Sequence, residues 1–194
     1  MKTYLDGTLV EEAGDSLEQA LEVVRGRLSD RLVVEALADG VPVPDSDLDE
    51  PPADGEYAQE LRFTTARTGA VVAESLRQAS EAIEAADERR QEAADRLAEG
   101  DVEGAMDSLC DVLRVWASVR SVAEIAVNMP EGGLDAKTVQ PAAVELGKVL
   151  DALRTAIVEQ DWPTAGDIVG LDLPELAARW RTLFDEAAHV ALKG

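Results

Sequence analysis

The sequence predicts an α+β protein in which a small N-terminal α/β domain precedes an antiparallel bundle of about four helices. Short β-branched and alternating runs, separated by Asp-Gly turns, occupy residues 1–66. Apolar residues spaced three and four apart occupy residues 67–194. A chain of 194 residues is long enough for two small domains. We therefore expect one domain over 1–66 and a helical domain over 67–194.

The N-terminal elements are predicted to follow one another as two strands, a helix and three more strands. Asp-Gly pairs at positions 6 and 39 each indicate a two-residue hairpin turn. Asp15-Ser16 is suited to capping a helix that begins SLEQALEVV. The run EYAQELRFTT alternates in the manner of a half-buried strand. This order is that of the β-grasp, or ubiquitin-like, architecture, and a β-grasp-like domain is one interpretation of it.

Three long helices are predicted in the second region, at about 72–97, 102–128 and 135–160. Their apolar residues keep a 4-3 heptad spacing, and Arg90 is the one charged residue in these seams. We expect Arg90 to form an ion pair or to reach solvent near the helix end. Gly100 is placed to end the first helix and Asp101 to cap the second. Short connections between long helices favour an up-down bundle.

The fourth helix is predicted to be broken. Asp161 is a suitable N-cap for a short helix that ends near Val169. Gly170 and the Leu-Asp pair after it predict a break, and a final helix is expected to begin at Pro174. The broken connection at 161–173 is the irregular part of the predicted bundle.

The chain is strongly acidic, with a formal net charge of −22. Residues 1–66 hold 16 acidic and 5 basic residues and residues 67–194 hold 24 and 13, so each region carries −11. Such a charge repels nucleic acid and anionic lipid and favours basic partners. Four Lys beside 14 Arg, with much Ala, Asp and Glu, are also typical of a GC-rich or salt-adapted genome. Acidity alone therefore does not separate partner choice from salt adaptation.

The cellular compartment is inferred from cysteine usage and from the apolar stretches. One cysteine, Cys110, excludes an internal disulfide, which is compatible with a reducing cytoplasm. No stretch approaches the roughly 18 apolar residues of a membrane span. The start MKTYLDGTLV has no apolar signal core. We expect a soluble cytoplasmic protein that binds neither membrane nor nucleic acid.

Patterns for catalysis and metal binding are weak. The acidic loop 45–56 has the aspartate spacing of an EF-hand, but its sixth position is Glu50, where a calcium loop needs glycine. The single histidine, His189, has no nucleophile elbow to serve, and one His with one Cys cannot build a zinc site. Cys110 lies mid-helix among apolar residues, which predicts a buried, inert thiol. We expect no catalytic site, cofactor or metal.

The tryptophans indicate the candidate binding site. Trp116 and Trp180 fall on the apolar faces of their helices and are expected in the core. Trp162 lies at a helix start beside Pro163, where full burial is not required. One interpretation is a hydrophobic staple that packs the connection onto the bundle. The other is an apolar contact for a partner, because tryptophan is enriched at binding hot spots. The candidate partner-binding residues are Trp162, Ile168, Val169 and Leu171.

The same segment carries a longer pattern: an Asp-aromatic pair, a small residue, an Asp with two apolar residues, an apolar-Pro step and a Trp-containing helix. The matching residues are Asp161, Trp162, Asp167, Ile168, Val169, Leu173, Pro174 and Trp180. With LAEGDVEGAMDSL, this pattern resembles acidic bacterial proteins of no established activity over about the C-terminal two thirds of the chain. The resemblance implies a small α/β segment before a helical bundle.

These observations favour a non-enzymatic bacterial interaction protein: an adaptor, a regulator or a small chaperone. Its helical bundle would present a groove or face to a protein partner of basic or helical character. The alternative is a self-associating structural protein, a homo-oligomer in which the heptad seams face another copy. A third class is an enzyme that uses scattered carboxylates.

Overall fold

The predicted α+β class is confirmed by a computed structural model that describes residues 1–129 and 133–193. The chain divides into two units, Met1–Val71 and Val72–Gly194. Among the described residues, no helix is both long and apolar enough to cross a membrane.

The first unit contains a five-stranded mixed sheet. Its spatial order is β2-β1-β5-β3-β4, with β1 and β5 parallel at the centre and the other neighbours antiparallel. A helix follows the first hairpin, and a one-turn helix follows the second. The elements are β1 (Lys2–Leu5), β2 (Thr8–Val10), α1 (Leu17–Arg27), β3 (Arg31–Ala38), β4 (Val41–Pro42), α2 (Asp45–Asp49) and β5 (Glu60–Arg67).

The core of the first unit lies between α1 and one face of the sheet. Strand β5 alternates, so that Leu61, Phe63 and Thr65 are buried while Arg62 and Thr64 are exposed. The Ser16 hydroxyl accepts from the Gln19 amide and caps α1, whose buried residues pack on that face. Strand β3 does not alternate regularly because its register against β5 shifts at Val34, which is half-exposed.

Both predicted Asp-Gly turns are present, and each aspartate also binds β5. Asp6 and Asp39 have the positive φ values that a two-residue hairpin turn requires. Asp6 accepts from the Thr65 backbone amide at 2.8 Å and from its hydroxyl at 2.6 Å. Asp39 accepts from the Glu60 amide at 2.8 Å. These hydrogen bonds therefore attach the two turns to opposite ends of β5, the strand that lies between the two hairpins.

The second unit is helical, and the caps predicted at Gly100, Asp101 and Asp161 are confirmed. Gly100 ends a helix in the left-handed region, and Asp101 then accepts from the Gly104 amide to start the next. Asp135 and Asp161 cap later helices in the same way. The elements are α3 (Thr68–Ala85), α4 (Asp87–Glu99), α5 (Val102–Asn128), α6 (Ala136–Val158), α7 (Trp162–Asp167), a π-helical segment (Ile168–Asp172) and α8 (Leu173–Ala191).

Two predicted helix boundaries in this unit need correction. The expected first helix is interrupted at Ala86, which separates α3 from α4, although backbone hydrogen bonds run across the interruption. The expected break at Gly170 is absent. A π-helical turn carries the chain from α7 directly into α8 because it accommodates an extra residue without leaving helical geometry.

The core of the second unit is built around aromatic rings. Trp116 and Trp180 are buried, as the sequence predicts, with ring centroids 6.4 Å apart in an edge-to-face arrangement. The Phe184 ring also packs edge-to-face against Trp180, with ring centroids 5.5 Å apart. Cys110, predicted to be buried, is exposed on α5, because the buried stripe of that helix includes Leu109 and Val112 and leaves position 110 outside it.

Candidate protein-binding surface

The candidate surface begins at the N-terminus of α7. Asp161 caps this helix through the Thr164 hydroxyl, which donates at 2.7 Å, and the Thr164 amide, which donates at 3.2 Å. These hydrogen bonds, the hydroxyl first, lower the pKa of the Asp161 carboxyl below its ordinary value. The cap fixes the first turn of α7, and so places Trp162 and Pro163 at a defined corner.

The π-helical segment holds the other three candidate residues in two different environments. Ile168 and Val169 are buried in the core of the second unit, and Leu171 is 66% exposed. Trp162 is half-buried. In this structure, only Trp162 and Leu171 of the four candidates present side-chain surface to a partner.

Arg90 fixes the π-helical segment from α4. Its guanidinium Nη1 donates to the Val169 carbonyl oxygen at 3.0 Å, and its Nε donates to the Asp87 carboxylate at 2.8 Å. The Arg90 residue is only 8% exposed. The expected ion pair near a helix end is therefore present, and the remaining hydrogen-bonding capacity satisfies a backbone carbonyl 79 residues away in sequence.

An open groove runs between the C-terminal turns of α4 and helix α7. We call it the α4–α7 groove, and its volume is about 610 Å³. Leu97 lies beneath it, only 5% exposed, and its accessible apolar surface comes from the half-buried Trp162 and from the exposed Ala98 and Pro163. The lining residues are Ala94, Leu97, Ala98, Glu99, Gly100, Trp162, Pro163, Gly166 and Asp167.

Small residues bring the helices beside the groove close together. A Cβ atom at Gly166 would lie 3.9 Å from the Leu97 Cβ, and one at Gly170 would lie 3.9 Å from the Ala94 Cβ. These separations are ordinary van der Waals contacts, so α4 packs closely against α7 and the π-helical segment. The groove is therefore a gap at the edge of a packed helix pair, where Trp162 lies beside the contact.

The charged residues on the groove are acidic. Glu99 stands at the last residue of α4, and Asp167 stands at the last residue of α7. The nearby Arg96 donates to Glu92 at 2.6 Å and lies 3.6 Å from Asp101, so its charge is already paired. The C-terminal end of α4 adds the partial negative charge of the helix dipole.

Sequence reasoning found one side of this groove and missed the other. The helix-start position of Trp162 predicts an accessible tryptophan, but the pattern at 72–97 predicts only a helix that ends before Gly100. The Gly100 stop signal located that end correctly. No local pattern pairs it with α7, because the two segments are more than 60 residues apart.

The acidic loop, His189 and Cys110 do not combine into a metal site within the described parts of the chain. The acidic loop contains the short helix α2, and Asp47 accepts from the Tyr57 hydroxyl at 2.6 Å. His189 and Cys110 are exposed on α8 and α5. Across residues 1–129 and 133–193, no group of three or more His, Cys, Asp or Glu residues is arranged to hold a metal ion.

Comparisons with protein-family models, with curated proteins and with solved structures gave no match to this chain.

Proposed function

We propose that this chain is a non-enzymatic interaction protein that binds a protein partner through the α4–α7 groove. The observation that carries the proposal is a half-buried tryptophan on the wall of an open groove of about 610 Å³. Tryptophan supplies a large apolar surface with few rotatable bonds, which makes it a frequent hot spot in protein interfaces. The groove is of a size that admits one or two side chains of a partner segment.

The partner binds by placing an apolar side chain in the groove against Trp162 and Pro163. Desolvation of the Trp162 ring provides most of the favourable free energy, because the apolar area that leaves water is concentrated there. Leu171 lies outside the groove lining and extends the apolar surface for a larger partner. Ile168 and Val169 support the surface from the core.

The finer architecture is part of the same proposal. Residues 1–71 form a β-grasp-like domain, which the β2-β1-β5-β3-β4 order with parallel central strands and a single crossing helix supports. The helices after it form a bundle of about four long members, with α3 and α4 counted as one interrupted helix. As an adaptor, regulator or small chaperone of the bacterial cytoplasm, the protein uses the helical unit for binding.

The test is a comparative capture from bacterial cytosol with tagged full-length chains. Wild type, Trp162→Ala and the matched apolar truncation Val144→Ala are used in parallel, since Val144 is exposed on α6 and does not line the groove. We expect Trp162→Ala to lower recovery of a specific partner at least about 10-fold. Val144→Ala is expected to retain it. Circular dichroism checks that all three chains are folded.

Equal recovery by wild type and Trp162→Ala would remove the groove from the proposal. A second outcome favours the alternative class: if the wild type captures no partner and its mass in solution is that of a dimer or larger assembly, the chain is self-associating. Mass determination of the purified chain is therefore run beside the capture.

A further inference from the structure

The α4–α7 groove combines an aromatic wall with charge of a single sign. Glu99 and Asp167 are its two charged lining residues, and both are carboxylates. The C-terminus of α4 adds its partial negative charge at Glu99 and Gly100, and Asp161 caps the partially positive N-terminus of α7 beside Trp162. A cation in the groove would therefore meet the carboxylates of Glu99 and Asp167 and the half-buried Trp162.

The cations of the neighbouring helix turns are already paired. Arg96 is held by Glu92 and Asp101, and Arg90 is held by Asp87 and the Val169 carbonyl. Neither guanidinium lines the groove. The two carboxylates on its rim therefore attract an external cation more strongly than they would beside a mobile internal arginine.

We propose that the occupant of the groove is a basic segment of a partner protein, with an arginine or lysine beside an apolar side chain. This proposal rests on the proposed function and specifies the chemistry of the partner. The apolar side chain packs on Trp162 and Pro163. The basic group stacks on the exposed part of the Trp162 ring and donates hydrogen bonds to Glu99 or Asp167, and arginine fits best because its planar guanidinium does both.

A second copy of this chain is a poorer occupant. Each copy carries a net charge of −22, so two copies repel each other at every approach that brings their acidic surfaces together. A basic segment gains from the same field, which accelerates its association and makes binding sensitive to salt.

The chain contains its own reporter for this test. Trp162 is half-buried, whereas Trp116 is 5% exposed and Trp180 is fully buried. A water-soluble quencher therefore acts mainly on Trp162, and a ligand in the groove protects it. The probes are short helical peptides that carry leucine on one face and arginine on the other, and the same peptides with every arginine replaced by glutamine.

The rim charges are tested with a matched pair of double variants of the full-length chain. Glu99→Gln with Asp167→Asn removes the two groove carboxylates. Asp185→Asn with Glu186→Gln removes two exposed carboxylates of α8 and changes the net charge by the same amount. We expect wild type and the α8 variant to bind the arginine peptide alike. The groove variant is expected to bind it about 5-fold more weakly, and the glutamine peptide is expected to bind wild type about 10-fold more weakly.

Each result has a defined consequence. Equal affinity of the two double variants would show that the acidity acts generically, and equal affinity for the two peptides would show that the groove selects apolar groups alone. A failure of the arginine peptide to protect Trp162 would overturn the inference as well. In these cases the proposed function survives only if the captured partner is still lost in Trp162→Ala, so the two failures are distinguishable.

Discussion

At the scale of single residues, short local hydrogen bonds set the ionisation of several side chains. Tyr57 is the clearest case, because its hydroxyl donates to the Asp47 carboxylate at 2.6 Å beside the helix α2. That hydrogen bond, followed by burial of the ring and the charge of Asp47, raises the pKa of Tyr57 to about 12. The Asp47 carboxylate of the acidic loop thus holds the Tyr57 hydroxyl in place.

The pH dependence follows from the direction of this shift. The folded-state pKa of Tyr57 lies above the ordinary tyrosine value of about 10. Its contribution to the free energy of unfolding is therefore complete below about pH 10 and is lost as the pH rises toward 12. We expect the difference in tyrosinate absorbance between wild type and Tyr57→Phe to have a midpoint near pH 12.

Asp47→Asn is the matched control, since it removes the charge and keeps the size of the acceptor. This variant is expected to lower the Tyr57 midpoint toward about pH 10. A wild-type midpoint near pH 10, with circular dichroism still that of the folded chain, would contradict the assigned hydrogen bond.

At the scale of elements, helix ends were predictable and long-range pairings were not. Gly100, Asp101 and Asp161 act through hydrogen bonds to residues at most five positions away, so their local sequence signals predict them. The contact of Arg90 with Val169 spans 79 residues, and no local pattern encodes it. The sequence predicts a break instead of this π-helical turn because a glycine such as Gly170 commonly ends a helix.

Arg90 stabilises this π-helical turn, and its removal tests that assignment. Arg90→Ala leaves the buried Val169 carbonyl without this donor, so we expect a loss of about 1–3 kcal/mol in the free energy of unfolding. Arg89→Ala is the matched control, because Arg89 is exposed and pairs only with Glu92 on the surface. Urea unfolding of both variants measures the difference. Equal losses would show that the Val169 contact contributes nothing.

The candidate site could be predicted only in part, because local signals can be read from the sequence and long-range pairings cannot. Trp162 carries its own signal, since a tryptophan at a capped helix start is seldom fully enclosed. Burial of Ile168 and Val169 depends on the rotation that the π-helical turn imposes, which their apolar character alone does not specify. The α4 side of the groove depends on the tertiary contact between Leu97 and Gly166, which no local sequence pattern specifies.

At the scale of the whole molecule, excess negative charge is the dominant electrostatic feature. The chain carries 40 acidic residues against 18 basic ones. The described ion pairs are mostly exposed, with both partners of several pairs more than half exposed, as in Arg120 with Glu124. Exposed pairs contribute little, so self-repulsion outweighs them.

Salt should therefore stabilise the folded chain. We expect the Tm to rise between about 20 mM and about 500 mM NaCl, because screening weakens the long-range repulsion more than the short-range pairs. Thermal unfolding followed by circular dichroism at several salt concentrations measures this. A Tm that falls with salt would mean that the surface ion pairs outweigh the repulsion.

The proposed function assigns partner binding to the helical unit, Val72–Gly194. Partner binding at the groove must lower the exchange of backbone amides that line it, since the bound segment excludes water and reduces local opening. The most direct measurement is hydrogen exchange of the full chain with and without its captured partner. We expect protection at residues 94–100 and 162–167, and protection confined to residues 1–71 would contradict binding at the groove.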